Sequence, residues 1–227
     1  MALIYRDTRM SDVIAHEPSV IPVINRFGIN LGTGDSSVAE ICAAHNLDAD
    51  FVLAILNTFV NDGYFPEDTL LSFRVSEIIG YLVKTDNYYR NYQMPNIHRH
   101  FSLLLKTAGG SNASLEAMFR FYLELERDIE QRIDHDLNEW FPAISEMNAD
   151  GGDSVIMPET ECDSSIEDKL SDLKSMFIKH LSGDYDLNLC YAVIVAIITL
   201  EKDMRQNNRI RDRILLPISR SLQHRGS

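Results

Sequence analysis

Apolar residues recur along the chain at spacings of three and four, and proline and glycine are sparse, 7 and 11 of 227 residues. That period predicts an all-helical protein. Ser11 is placed to cap a short helix over DVIAH, stopped by Glu17-Pro18. Ser19 is placed to cap a second over VIPVINRF, with Gly28 as its C-terminal stop. A loop covers 29–35, Ser36 or Ser37 caps VAEICAAH, and Asp48 caps ADFVLAILNTFVN, which ends at Gly63. None of these four helices is long enough to hold alone in water, so they must pack together.

The segment 64–69 contains Pro66 and acidic residues and reads as an exposed join between a small domain, 1–66, and a larger one, 67–227. Beyond it the predicted helices lengthen. Helix A runs over 73–107 with a kink at Pro95, because proline lacks the N–H donor and crowds the preceding turn. Helix B runs over 114–140 and stops before Phe141-Pro142; helix C covers 165–181; helix D covers 187–216. Four long helices with short connections predict an up-down-up-down bundle.

Charge narrows the function. With 21 Lys+Arg against 34 Asp+Glu the net charge is −13. This argues against nucleic acid and anionic membranes as partners of this chain, since both bind through clustered Lys and Arg. Cys42, Cys162 and Cys190 are widely spaced, without a CxxC pair or a disulfide framework. The N-terminal stretch MALIYRDTRMSD has no signal-like apolar core, and the longest apolar run, 191–200, is about half a membrane span. The expectation is a soluble cytoplasmic protein.

Two stretches carry a family resemblance. IPVINRFGINLGTGDSSVAEICAAHNLDADFVLAIL resembles the small N-terminal domain of the Repair of Iron Centres (ScdA/YtfE-like) family. The pieces NYYRNYQMPNIHRHF, DIEQRIDHDLNEWFPAI, SSIEDKLSDL and DMRQNNRIRDRILLPI resemble, in the same order, the hemerythrin-like bundle that those proteins carry. The arrangement is also similar to the sensor half of LuxR-type bacterial regulators. The resemblance implies a small ScdA-type domain followed by a hemerythrin-like four-helix bundle, and in the family a di-iron site held by His and His-x-x-x-Glu pairs. Counted back from the prolines, those ligand positions fall here on Asn87, or Arg90 one turn on, and on Arg132, Asp136, Asn207 and Arg211, with Asp163 on helix C. None is histidine. The family's Cys-Cys-Gly-Gly turn is replaced by Leu31, Gly32, Thr33 and Gly34. The implied chemistry is therefore lost, and no metal or other cofactor is expected.

The helical period points to the same residues. On helix D, Leu189, Val193, Ala196, Leu200 and Met204 make a stripe that continues to Asn207, Arg211 and Leu215; on helix B, Leu125 and Ile129 lead to Arg132, Asp136 and Trp140. Polar side chains thus enter the bundle interior, where charges must be paired. One reading makes Arg132, Asp136 and Arg211 a structural polar core, the guanidinium groups replacing the charge of a metal. The other lets the long side chains snorkel to the bundle end.

The remaining candidates are weaker. His98 and His100, two apart, face different ways on a helix and read as surface residues, as does His135; His180 suits a helix C-terminus. Cys42 reads as a small core residue, and Cys162 sits among acidic neighbours that disfavour its thiolate. Asp184 and Asp186 are a fragment of a calcium loop without the remainder. Three function classes follow. The first is a non-enzymatic regulatory, sensor or interaction module. The second is an iron-binding repair or stress-response protein with an irregular di-iron site drawn from Asp86, His135, Asp136, Asp163 and Asp212. The third is a homodimeric or protein-binding module.

Overall fold

A computed structural model describes residues 2–108, 112–150, 158, 160 and 165–225. Among them all regular structure is helical, and one isolated antiparallel bridge joins Arg9 and Ser37. The helices are α1 (Met10–His16), α2 (Ile21–Arg26), α3 (Val38–Ala44), α4 (Ala49–Val60), α5 (Glu67–Leu71), α6 (Val75–Tyr88), α7 (Met94–Thr107), α8 (Ala113–His135), α9 (Phe141–Asp150), α10 (Ser165–His180), α11 (Leu187–Ile210) and α12 (Leu216–Arg225). The chain divides into two compact units, Met1–Thr85 with Arg209–Ile218, and Asp86–Asn208 with Ser219–Ser227.

In the first unit, short helices are closed by local chemistry. Ser37 caps α3 in a reciprocal capping box: its side chain accepts from Glu40 N, and Glu40 accepts from Ser37 N. Asp48 caps α4 by accepting from Asp50 N and Phe51 N. After α2 the chain turns at Gly28, φ +80°, with Gly28 N bonding Asn25 O and Ile29 N bonding Ile24 O. This is a Schellman ending, and its apolar pair Ile24 and Ile29 is buried. Asn46, φ +54°, closes α3 the same way. Two expected caps are corrected: α1 starts at Met10 with no side-chain cap from Ser11, and Ser19 lies inside a 3-10 turn, Pro18–Val20, that leads into α2.

The segment 64–71, expected as an exposed join, is built into this unit. Pro66 starts α5 instead of interrupting the chain, a position that tolerates its missing donor. Leu70 is fully buried. The Phe65 ring lies 4.9 Å from the Arg209 guanidinium and 4.2 Å from that of Arg213, while Arg209 Nη2 donates to Tyr64 O at 2.9 Å and Arg213 Nη2 to Glu67 Oε2 at 2.6 Å.

Proline also behaves differently from expectation in the long helices. Pro142 and Pro217 do not end them. Each of Pro95, Pro142 and Pro217 is preceded by a five-residue π-turn, over Tyr89–Gln93, Asp136–Trp140 and Arg211–Leu215, and helix resumes beyond. The turns close through Met94 N to Tyr89 O, Phe141 N to Asp136 O and Leu216 N to Arg211 O, each spanning five residues. A proline ring clashes with the carbonyl four residues back. Widening the preceding turn moves that carbonyl aside, so the helix bends through its proline.

The second unit has one apolar core to which α7, α8, α10 and α11 all contribute. Ile97, Phe101 and Leu104 come from α7, Leu125 and Ile129 from α8, Leu170 and Phe177 from α10, and Val193, Ile197 and Leu200 from α11. Asn112 caps α8 by accepting from Leu115 N, and its Nδ2 donates to Ser182 O at 2.7 Å, tying that helix start to the connection between α10 and α11.

Candidate polar core

The interior stripe of α11 changes character after Leu200. Asp203, Gln206, Asn207 and Asn208 are all buried. Asn207 Nδ2 lies 2.9 Å from Tyr89 Oη, 2.7 Å from Asp203 O and 2.8 Å from Asp203 Oδ1, so two N–H groups are shared among three acceptors. Its Oδ1 is buried without a hydrogen-bond partner among the described residues. Tyr89 is fully buried and is the first residue of the π-turn ahead of Pro95.

A second chain of contacts crosses three helices. Arg132 Nη1 on α8 donates to Asn208 Oδ1 at 2.9 Å, and Asn208 Nδ2 donates to Glu167 Oε1 on α10 at 2.7 Å. Glu167 also lies 4.0 Å from Arg205 Nε, and Arg205 Nη2 donates to Glu201 Oε1 at 3.1 Å. Lys174 Nζ completes the run on both oxygens of Glu201, whose side chain is 4% exposed. A buried carboxylate held by two cations in this way is paired as burial requires.

The sequence-derived residues are placed as follows. Asp136 is buried at 1% exposure, Arg211 at 7%, and Arg132 is half-buried with its Nε lacking a partner among the described residues. Arg211 Nη1 donates to Asp212 Oδ1 at 3.1 Å. Asn87 is exposed, a correction: the buried residues beside it are Asp86 and Tyr89. Asp163 and Cys162 lie outside the described residues. Leu31, Gly32 and Gly34 are exposed, with Gly32 at φ +94° and Gly34 at φ +57°, conformations that disfavour a side chain. Sequence reasoning missed Tyr89, Asp203, Asn208, Glu167 and Glu201. Of these only Tyr89 had a signal in the sequence: it stands six residues before Pro95, as Asp136 does before Pro142 and Arg211 before Pro217.

The donor set does not suit iron. Arg132 and Arg211 offer no lone pair, and Asn207 offers only a neutral amide oxygen. His135, half-buried, engages Thr160 Oγ1 through Nε2 at 2.9 Å and faces Glu139. Among the described residues no group of three or more His, Cys, Asp or Glu side chains is placed to hold a metal. Asp186 has a local explanation: it caps α11 by accepting from Asn188 N and Leu189 N.

Other reactive groups are quiet. Burial pushes the Cys42 and Cys190 thiols up from their ordinary values, and both are free. His98, expected at the surface, is half-buried, with Nδ1 2.9 Å from Glu126 Oε2 and its ring edge-on to Phe119. Among the described residues no helix is long and apolar enough to cross a membrane. No protein-family model matches the chain, and no curated protein matches it.

Proposed function

We propose that this chain is a non-enzymatic regulatory, sensor or interaction module, a relative of the Repair of Iron Centres proteins whose di-iron ligands have been replaced. Its architecture in this reading is a small helical domain followed by a hemerythrin-like up-down-up-down bundle. One observation carries it: positions that the resemblance assigns to metal ligands hold Arg132 and Asn207, engaged with Asn208, Tyr89 and Asp203. Hydrogen bonds and charge pairs knit the helices there, where a metal would otherwise do so. The free thiols of Cys42 and Cys190 suit a reducing compartment such as the cytoplasm.

The test is metal analysis of the full chain expressed with excess iron. The expected result is no stoichiometric iron and no visible absorption from bound iron. About two irons per chain, the content of a di-iron bundle, would overturn the proposal in favour of an iron-binding repair or stress-response protein.

A further inference from the structure

The first unit holds a cavity of about 230 Å³, lined from the end of α2, the start of α4 and one side of α6. Its apolar wall is Phe27, Phe51 and Tyr81, all buried. Phe27 stacks on Tyr81 with ring centroids 5.5 Å apart, and Phe51 stands edge-on to both, at 6.0 and 6.3 Å. Arg26 Nη1 donates to Tyr81 Oη at 3.3 Å and helps fix that ring. Rings that lock one another in this way present a rigid apolar surface.

The α6 side is built at helical spacing. Glu77, Gly80, Tyr81 and Lys84 stand at i, i+3, i+4 and i+7 and share one face. Gly80 lies inside α6, where glycine weakens a helix relative to alanine. Its φ is not left-handed, and a Cβ there would meet no atom within 4 Å. Neither backbone geometry nor close packing requires glycine at this position. What the missing side chain supplies is the open volume of the cavity.

The rim carries both signs of charge. Asp48 uses Oδ1 to cap α4, accepting from Asp50 N and Phe51 N, and Glu77 uses Oε2 to accept from Arg74 N. The second oxygen of each makes no hydrogen bond among the described residues. Lys84, exposed, makes no hydrogen bond or ion pair among them either. Two carboxylate oxygens and one ammonium group thus stand uncommitted around an aromatic wall.

We propose that this cavity binds a small zwitterion with an apolar body, an amino acid whose side chain is aromatic or large and aliphatic. The side chain lies against Phe27, Phe51 and Tyr81, the ammonium group meets Asp48 and Glu77, and the carboxylate meets Lys84. Glu77 and Lys84 stand ~10 Å apart along α6, a gap that two long side chains and the ligand's paired charges span together. A plain cation would leave Lys84 as a repulsive neighbour, and a plain anion would meet two carboxylates. A ligand carrying both signs suits all three groups. A dry apolar cavity of ~150 Å³ accepts benzene, and this larger one has room for a ring with a short polar head. The inference rests on the sensor reading proposed above and names the class of molecule sensed. The two fail separately, because iron content and amino-acid binding are measured independently.

The experiment is an amide NMR titration of the isotope-labelled full chain with free phenylalanine, phenethylamine and phenylpropionate, which share a ring and differ in the charges they carry. Phenylalanine is expected to shift amides around Phe51 and Gly80, with a Kd of about 1 mM or tighter for a ligand of its size. The other two bind at least ~3-fold more weakly, the worth of one charge at an exposed rim. Lys84→Gln weakens phenylalanine by a similar factor and leaves phenethylamine, which has no carboxylate, unchanged. Gly80→Leu fills the cavity and abolishes binding, with the thermal melting curve retained. Lys84→Gln, at an exposed position, keeps the test independent of any folding defect in Gly80→Leu. No shifts with phenylalanine up to about 10 mM overturn the proposal, since a Kd of 1 mM would nearly saturate the site there. So do shifts that survive Gly80→Leu, and so does a Lys84→Gln variant that binds phenylalanine as the parent does. Phenethylamine or phenylpropionate binding as tightly as phenylalanine would reassign the cavity to simple cations or anions and also overturn it.

Discussion

The two ends of the core formed by residues 86–208 use the same helices and opposite chemistry. Toward one end Phe101 of α7 meets Phe119, Tyr122 and Phe177, with ring centroids 5.1, 5.9 and 5.2 Å away. Toward the other, Asn207 bonds Tyr89 and Asp203, and Asn208 bonds Arg132 and Glu167. Both ends are buried and both lie on continuations of the same 3.6-residue stripes. The aromatic end is held by area and dispersion, which are non-directional and tolerate substitution of similar volume. The polar end is held by directional bonds that are worth little net when made and cost much when broken on one side. The difference teaches that an interior stripe need not be apolar, provided each polar member finds a partner on a neighbouring helix.

The comparison breaks first at the aromatic end. Phe101→Ala, at a fully buried position, is expected to cost about 3–5 kcal/mol by lost transfer energy and the cavity left among three rings. Urea unfolding of the pure variant measures it, and a loss near zero would mean the end repacks freely. At the polar end Asn207→Ala is expected to cost about 1–3 kcal/mol, because the buried Asn207 bonds to Tyr89 Oη and Asp203 are lost and the site keeps its burial. A double-mutant cycle with Tyr89→Phe separates the mechanisms. The two changes should be non-additive by about 0.5 kcal/mol or more if they share one bond. Additive values would make Asn207 a volume filler, like its apolar neighbours along the stripe.

Much of this was legible in the residues. The period of α11 carried Leu189, Val193, Leu200 and Met204 onward to Asn207 and Arg211, and both polar residues are buried. Ser37, Asp48 and Gly28 marked helix ends by chemistry that works locally, so neighbours alone decide them. Two failures lie at the prolines. Each π-turn inserts one residue into the helical register, and no apolar period announces it. Counting back from Pro95 gave Asn87, which is exposed, where the structure buries Asp86. The same turns let the chain run past Pro142 and Pro217, both read as stops. Partners such as Glu167 and Asn208 were not legible, because which polar groups meet across helices depends on packing that no single helix encodes. The Repair of Iron Centres resemblance rests on the residues alone.

The smallest expected effect sits at Tyr122, where the two chemistries meet in one side chain. Its ring is 1% exposed and packs on Phe101 and Phe119. Its Oη lies 3.0 Å from Met94 O and 3.0 Å from Glu126 Oε1, and its one proton serves one acceptor at a time. Burial, reinforced by the Glu126 carboxylate, raises the phenol far above its ordinary value of 10.0. The neutral form is therefore the one the fold favours. Below pH 10 folded and unfolded chains both keep this proton, and its contribution to stability is fully present. Above it the unfolded chain loses the proton while the folded chain keeps it, so stability falls as pH rises. In Tyr122→Phe the ring packing is kept and the titrating group removed. At neutral pH the change should cost about 1 kcal/mol, the net worth of a buried hydrogen bond. Between pH 9 and 11 the variant's urea midpoint should fall less steeply than that of the parent chain. Parallel curves for the two proteins would mean that Tyr122 opens to solvent before it titrates. The aromatic end would then be the looser of the two, which reverses the order of rigidity that its packing implies.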